Sequence, residues 1–389
     1  MKHIFSRTIL LLIVFYALDR FTHYGLRGNL PLILLRDFGF DFDDMKSIGR
    51  YLDYIPLLSY LIIGFTLDKY KHLRDIRLYY IPVIVGILIL FIKSPISFAV
   101  GYSLLFFISP FIKVIVLIKI FDYLKSKGIN DDRAFVLMIL VLNIFSFFGP
   151  FAPAYLRHGI GFESIDSFMM LFLSAWLIYG LLFFILKSEP TKISKTTGSN
   201  KQSYKILIIS LLSLFLMNFF SNVIFSDYYI DSENLKPELI RSIIQVVLIF
   251  ILGIVFLFLP NFRSRFKINI SAFLILIIGI ISLSVGFVDL SDIQSHVLIA
   301  ASGLDSAFYI LFSPAIYFIF LDTFNYKKRA AFLSVFYFIH FFISDISEHL
   351  RMLNQDTLIS ALLILLLLGF IISKLVFGKP RIYTNRYDS

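Results

Sequence analysis

Apolar runs about as long as a bilayer is thick recur twelve times along this chain, and no other feature so narrows its choice of fold. They fall at about 7–35, 45–66, 76–93, 95–121, 134–156, 166–186, 206–226, 237–259, 268–288, 293–321, 329–349 and 356–376. A helix needs about 20 apolar residues to cross the hydrocarbon core. Backbone polar groups in lipid must find partners within the protein, which leaves helices or a closed barrel. The runs are too continuously apolar for barrel strands, which alternate. Charged residues make up 16% of the chain, against about 25% in soluble domains, too few to coat a water-facing globule. The first run is too long for a signal-peptide core and lacks a small-residue cleavage site, so it reads as the first span. The expected fold class is an all-α membrane protein with twelve transmembrane helices.

The charges orient these spans. With the N-terminus inside and the loops alternating, 24 of the 36 Lys and Arg residues fall in inside segments and 6 in outside ones. This is the positive-inside pattern, and it puts both termini in the cytoplasm. The net charge of +10 therefore reads as topology and contact with anionic lipid, and implies no nucleic acid. The longest polar stretch, "KSEPTKISKTTGSNKQSYK" at Lys187–Lys205, follows the sixth run. It divides the chain into a six-helix bundle at 1–187, a cytoplasmic linker at 188–204, a second bundle at 205–377 and a tail at 378–389. Two such halves point to a transporter of the cytoplasmic membrane with its site near the midplane between them. There is no cysteine, and no HExxH, P-loop or G-x-S-x-G motif, so no metal, cofactor or enzymatic activity is expected.

Four ionisable residues sit deep in spans. Asp19 and Arg20 lie at the centre of the first, in "FYALDRFTHYGLRGNLPLILL". Tyr16, Arg20, His23, Tyr24 and Arg27 share one helical face, a polar stripe that must meet protein or water. An Asp19–Arg20 or Asp19–His23 pair could merely lock helices together, but a lock has no use for Arg27. Lys113, in "FFISPFIKVIVLIKIF", is too central to snorkel and calls for a carboxylate or a water-filled cavity. Lys119, nearer the cytoplasmic end, can snorkel. Asn143 fits a binding role and an interhelical hydrogen bond equally well. Together Asp19, Arg20, Arg27 and Lys113 cost on the order of 10 kcal/mol at insertion, and their sum is three positive charges against one negative.

These residues carry a resemblance. The run Tyr16-Ala-Leu-Asp19-Arg20-Phe21-Thr22-His23-Tyr24-Gly25-Leu26-Arg27, followed by "NLPLIL", resembles the E-x-x-E-R-F-x-Y-Y-G-x-R motif of the proton-coupled oligopeptide transporters, a branch of the major facilitator superfamily. "GFTLDKYKHLR", with Gly64, Asp68 and Lys69, resembles the superfamily's cytoplasmic turn after the second helix. Lys113 matches the lysine of G-T-G-x-F-K-P-N, and Asn143 with "FFGP" matches F-Y-x-x-I-N-x-G and L-x-G-P. Ser313-Pro314 matches the S-P of the tenth helix, and "KKRAAFLSVFYF", with Phe336, tracks the next one. The resemblance is strongest over about 15–185 and 305–345. It implies the major facilitator fold and proton-coupled uptake of a small solute. Asp19 would be protonated with Arg20 or Lys113 as partner, and substrate would be held by His23, Tyr24, Arg27, Lys113, Asn143, Asp305, Tyr309, Ser313 and Phe336.

The departures shape the expected substrate. The motif's first glutamate is Tyr16, its second is shortened to Asp19, and its first tyrosine is His23. "FLMNFFSNVIF" lacks the family's seventh-helix glutamate, and the tenth-helix glutamate is Tyr309. The anion-binding half of a peptide site is present and the ammonium-binding half is lost, unless Asp305 replaces it. The expected partners are protons and a small anionic or carboxylate-bearing solute. The alternative is a transporter-like sensor or scaffold that no longer transports. Arg50 with Asp53, Glu238 with Arg241, and Asp345, Glu348 and His349 read as interfacial pairs, or as an outer gate. His340 reads as packing, and the many Phe and Tyr residues as lipid-facing bulk and interfacial belts.

Because the chain has no cysteine, Ser199→Cys provides a clean test of topology. An impermeant thiol reagent should leave it unlabelled in intact cells and label it after permeabilisation. Labelling from outside would reverse the orientation.

Overall fold

A computed structural model describes residues 4–129, 131–160, 164–185, 208, 210–217, 236–258, 294–324 and 327–350, with scattered positions between 270 and 281. Every regular element among them is helical. The 188–204 linker, the 378–389 tail and most or all of the expected spans at 206–226, 268–288 and 356–376 lie outside the described residues. The chain forms two compact units, Met1–Asn200 with Phe320–Phe338, and Lys201–Ile319 with Ile339–Ser389.

The first unit begins with α1, Arg7–Leu32, started by Ser6, whose side chain accepts the Ile9 N–H. A π-helical turn, Ile33–Asp37, extends it. The expected span at 45–66 is two helices, α2 at Phe42–Asp53 and α3 at Ile55–Lys69, joined at Tyr54. Pro56 has no N–H to continue the ladder, so the chain turns where one straight span was expected. Then come α4 (Arg77–Leu90), α5 (Pro95–Ser126), α6 (Arg133–Ile160) and α7 (Ser164–Ile185). Of the later elements, α8 spans Lys236–Phe258, α9 Gln294–Thr323 and α10 Arg329–Leu350. Among the described residues, Arg7–Asp37, Pro95–Ser126, Arg133–Ala152 and Gly303–Thr323 are long and apolar enough to cross a membrane.

Glycine sets the close approach of α1 to α6. A Cβ on Gly149 would lie 2.7 Å from the Phe21 carbonyl oxygen, and one on Gly25 would lie 3.0 Å from the Gly149 carbonyl oxygen. The two helices meet backbone to backbone, as small residues permit in membranes. Asn29 Nδ2 adds a hydrogen bond to the Pro150 carbonyl at 3.3 Å, while also donating to Gly25 at 2.9 Å.

Where the helices stand further apart, aromatic rings fill the space. Trp176 is fully buried, 5.2 Å from Phe15 edge-on, and its Nε1 donates to Thr22 Oγ1 at 3.0 Å. Phe172 meets Phe21 edge-on at 5.5 Å. The expectation of Phe and Tyr as lipid-facing bulk and interfacial belts suits Phe65, which is 81% exposed, but Phe15, Phe106, Phe121 and Phe172 are core, as is Trp176. Edge-to-face packing explains the preference, since large rings pair favourably beyond their buried area.

In the second unit, Gln245 of α8 donates to Asp305 of α9 at 3.1 Å, and Phe308 stacks on Phe312 at 4.8 Å.

Gly149→Ala puts a methyl group against backbone that cannot swing away. It should lower stability by about 1–3 kcal/mol, read as thermal unfolding in detergent. Gly303→Ala, whose nearest neighbour is the Leu248 side chain at 3.5 Å, should leave the transition near that of the wild type. Equal effects would show that the α1–α6 crossing is looser than described.

Candidate functional site

The charges within α1 and α5, Asp19 buried and Arg20 and Lys113 half-buried, each find a different partner. Asp19 is 5% exposed and accepts a hydrogen bond from Ser109 Oγ of α5 at 2.7 Å. Its neighbour in sequence, Arg20, points about 100° away around the helix, and Arg20 Nη2 donates to the Tyr16 hydroxyl at 2.9 Å. The guanidinium carbon also lies 5.0 Å from the Tyr16 ring centre and 6.0 Å from that of Tyr24. Tyr16, which stands where the resemblance has a glutamate, thus serves as the partner of Arg20. His23 stacks on Phe106 at 3.9 Å and meets Tyr24 edge-on at 5.5 Å. Asp19, Thr22, His23, Phe106 and Trp176 line a cavity of about 10 Å³, room for a single water molecule.

Lys113 sits one turn along α5 from Ser109. No carboxylate among the described residues pairs with it, and its ammonium rests 3.4 Å from the centre of the Tyr337 ring of α10. Tyr337 is buried, and its other contacts include a 5.5 Å stack with Tyr60 of α3 and a 5.3 Å edge contact with Phe336. Phe336 also meets Phe320 at 5.0 Å. Tyr60 and Tyr337, which sequence reasoning missed, are apolar enough in pattern to pass for core.

The other expected site residues are less gathered. Asn143 Nδ2 donates within its own helix, to the Ile139 carbonyl at 2.8 Å, so the described bond is neither interhelical nor to a site residue. Tyr24 and Arg27 are exposed on α1. In the second unit Asp305 is engaged by Gln245 at 3.1 Å, Tyr309 is exposed and Ser313 is buried.

The Lys/Arg-rich end of the first unit holds a second polar cluster. Asp68 of α3 accepts the backbone N–H groups of Ala330 at 3.2 Å and Ala331 at 2.8 Å, and pairs with Arg74 at 2.7 Å. Those N–H groups are in the first turn of α10, where nothing in the helix can satisfy them. Asp68 thus caps a helix more than 260 residues away in sequence. Gly64 permits the approach, since a Cβ there would lie 3.3 Å from Ala331 Cα. Lys69 is exposed, its ammonium 5.2 Å from the Tyr70 ring. In the turn that follows, Arg77 donates to Asp75 at 2.8 Å and holds its carboxyl below the usual carboxylate range.

Two further pairs complete this end. Arg329 Nη1 donates to Asp122 of α5 at 2.8 Å, with side-chain exposures of 0% and 7%, and Lys125 pairs with Asp322 of α9 at 2.7 Å. In the sequence Lys125 and Arg329 read only as positive-inside markers, and Asp122 and Asp322 carried no reading. The available signal was that Arg329 and Asp122 stand at the ends of apolar runs.

Comparison with known proteins places the fold. No model of a known protein family matches the sequence, and no curated protein matches it. A bacterial homologue of the iron transporter ferroportin, in an outward-facing state, superposes with a TM-score of 0.68 at 13% identity, covering 96% of this chain and 100% of that one. The human organic anion transporter MFSD10 (TETRAN) superposes with a TM-score of 0.66 at 12% identity, covering 94% and 99%. The chain is an all-α, multi-pass membrane protein with the twelve-helix major facilitator fold.

Asp122 and Arg329 give a stability test. Arg329→Met removes the Arg329 half of a buried ion pair and should cost about 3–5 kcal/mol, measured by thermal unfolding in detergent. Adding Asp122→Leu should recover most of the loss, because an apolar pair avoids the desolvation penalty. A double variant as unstable as the single one would contradict the pairing.

Proposed function

We propose that this protein is a secondary active transporter of the cytoplasmic membrane that moves a small carboxylate-bearing solute together with protons. The observation that carries the reading is Lys113: a cation deep in an apolar helix, in an ion pair with no carboxylate among the described residues, resting on a tyrosine ring. A cation left in this state is ready to take an anion from solution. Arg20 adds positive charge one helix away.

Asp19 is the proposed proton site. Its bond from Ser109 permits protonation without breaking an ion pair, and the adjoining cavity has room for a water that could carry the proton. The resemblance to peptide transporters extends to the anion-binding side. On the ammonium side Tyr309 is neutral and Asp305 is occupied by Gln245. Simple organic anions and N-acylated peptides are therefore the proposed substrates, in preference to free peptides. The bonds from α3 and α5 to Asp322, Arg329, Ala330 and Ala331 support a resting state closed at the cytoplasmic side.

Uptake of N-acetyl-dialanine into proteoliposomes under an imposed pH gradient tests the reading. Wild type should accumulate it, Lys113→Ala should not, and Asp19→Asn should equilibrate it without responding to the gradient. Free dialanine should bind about 100-fold or more weakly, the cost of a buried ammonium without its carboxylate. Absence of uptake with every anion offered would favour the sensor or scaffold. Free dialanine binding better than its acetylated form, with the advantage lost in Asp305→Asn, would make this a peptide transporter.

A further inference from the structure

We infer that Tyr337 is a positioning residue that couples the occupancy of Lys113 to the opening of the cytoplasmic side. This rests on the anion reading of Lys113 given above and adds to it a residue outside the expected site and the step that substrate would trigger.

α10 is held at two places along its length. Its first turn is fastened to α3 through Asp68, and to α5 through Asp122 on Arg329. Two helical turns further in, Tyr337 packs between the ammonium of Lys113 and the ring of Tyr60. The same two helices, α3 and α5, thus hold α10 at two levels. The outer level is made of charges and backbone groups that no solute in a midplane site would touch. The inner level is made by Lys113, which the transport reading gives to the substrate.

One ammonium cannot serve both partners fully. A cation over a ring face gains a modest attraction. A charge-assisted hydrogen bond to a carboxylate is stronger and directional, and would draw Nζ toward the anion. Carboxylate binding is therefore favoured most where Lys113 has left Tyr337. A ligand shifts a conformational equilibrium only by its differential affinity for the two states, and this exchange of partners supplies such a difference. With that contact gone, the inner level keeps the Tyr337–Tyr60 stack to α3 but loses its tie to α5, and the cytoplasmic side opens more readily.

The chain's lack of cysteine allows spin labels at Lys127→Cys and Lys328→Cys, both exposed positions of the first unit. Their distance distribution in the full-length protein reports closure. Tyr337→Leu should raise the long-distance population about two- to thirty-fold without ligand, the range expected from losing one such contact. Tyr337→Phe, which keeps the ring face, should remain as closed as the wild type. Lys113→Met should open the protein like Tyr337→Leu, and the double variant should open no further than either single one, the mark of a shared contact. Additive effects, or a Tyr337→Phe variant as open as Tyr337→Leu, would overturn the inference by showing that Tyr337 acts through packing alone. N-acetyl-dialanine added to wild type should reproduce the opening and should add little in Tyr337→Leu. If the variants behave as described but the anion moves nothing in wild type, the anion reading and the release step both fall, and the Lys113–Tyr337 contact stands as a structural tie.

Discussion

An ion inside an apolar helix bundle must be compensated from within the protein, and the interior of the first unit is organised around that requirement. Removing an ammonium or carboxylate from water costs several kcal/mol even after relaxation. Four charges meet this cost in four ways: buried Asp19 by a serine hydroxyl, half-buried Arg20 by a tyrosine hydroxyl and ring, half-buried Lys113 by a tyrosine ring, and buried Arg329 by Asp122. Of these four, the Arg329–Asp122 contact is a full ion pair, and it lies at the end of the bundle. Nearer the middle the compensation is partial. A partly compensated cation can exchange its partner for a solute, which a closed ion pair would resist.

The same requirement explains how α10 is seated. The start of a helix leaves N–H groups that need acceptors, and Asp68 of α3 supplies one carboxylate to two of them. Gly64 makes the approach possible by leaving room for Ala331. A helix end satisfied by another helix, in place of its own capping residue, can be released as a unit. The local physics therefore favours a joint that comes apart between α3 and α10 without unwinding either.

Much of the fold was legible from apolar run length alone, because lipid permits so few backbone solutions. The start of α5 at Pro95 and of α10 at Arg329 lies within a residue or two of the apolar edges. The break at Tyr54 was foreshadowed only by Pro56, which a helix tolerates in its first turn as readily as it kinks one. Asp19, Arg20 and Lys113 were legible as unusual from their cost in lipid. Their partners were not, because Ser109, Tyr16 and Tyr337 are common in spans and acquire a role only through helix packing. Adjacent placement of Asp19 and Arg20 suggested a pair, yet neighbours on a helix diverge in direction. Asn143 was ambiguous for a similar reason, since an amide can bond back to its own helix as easily as across to another.

The central claim is that Lys113 recognises negative charge. Equilibrium binding of N-acetyl-dialanine can be compared with that of its neutral C-terminal amide, which has nearly the same shape. The account predicts that the carboxylate binds at least tenfold more tightly to wild type, a difference of about 1.4 kcal/mol, and that the preference disappears in Lys113→Met. Equal affinity for acid and amide in wild type, or a preference that survives the loss of the ammonium, would contradict it.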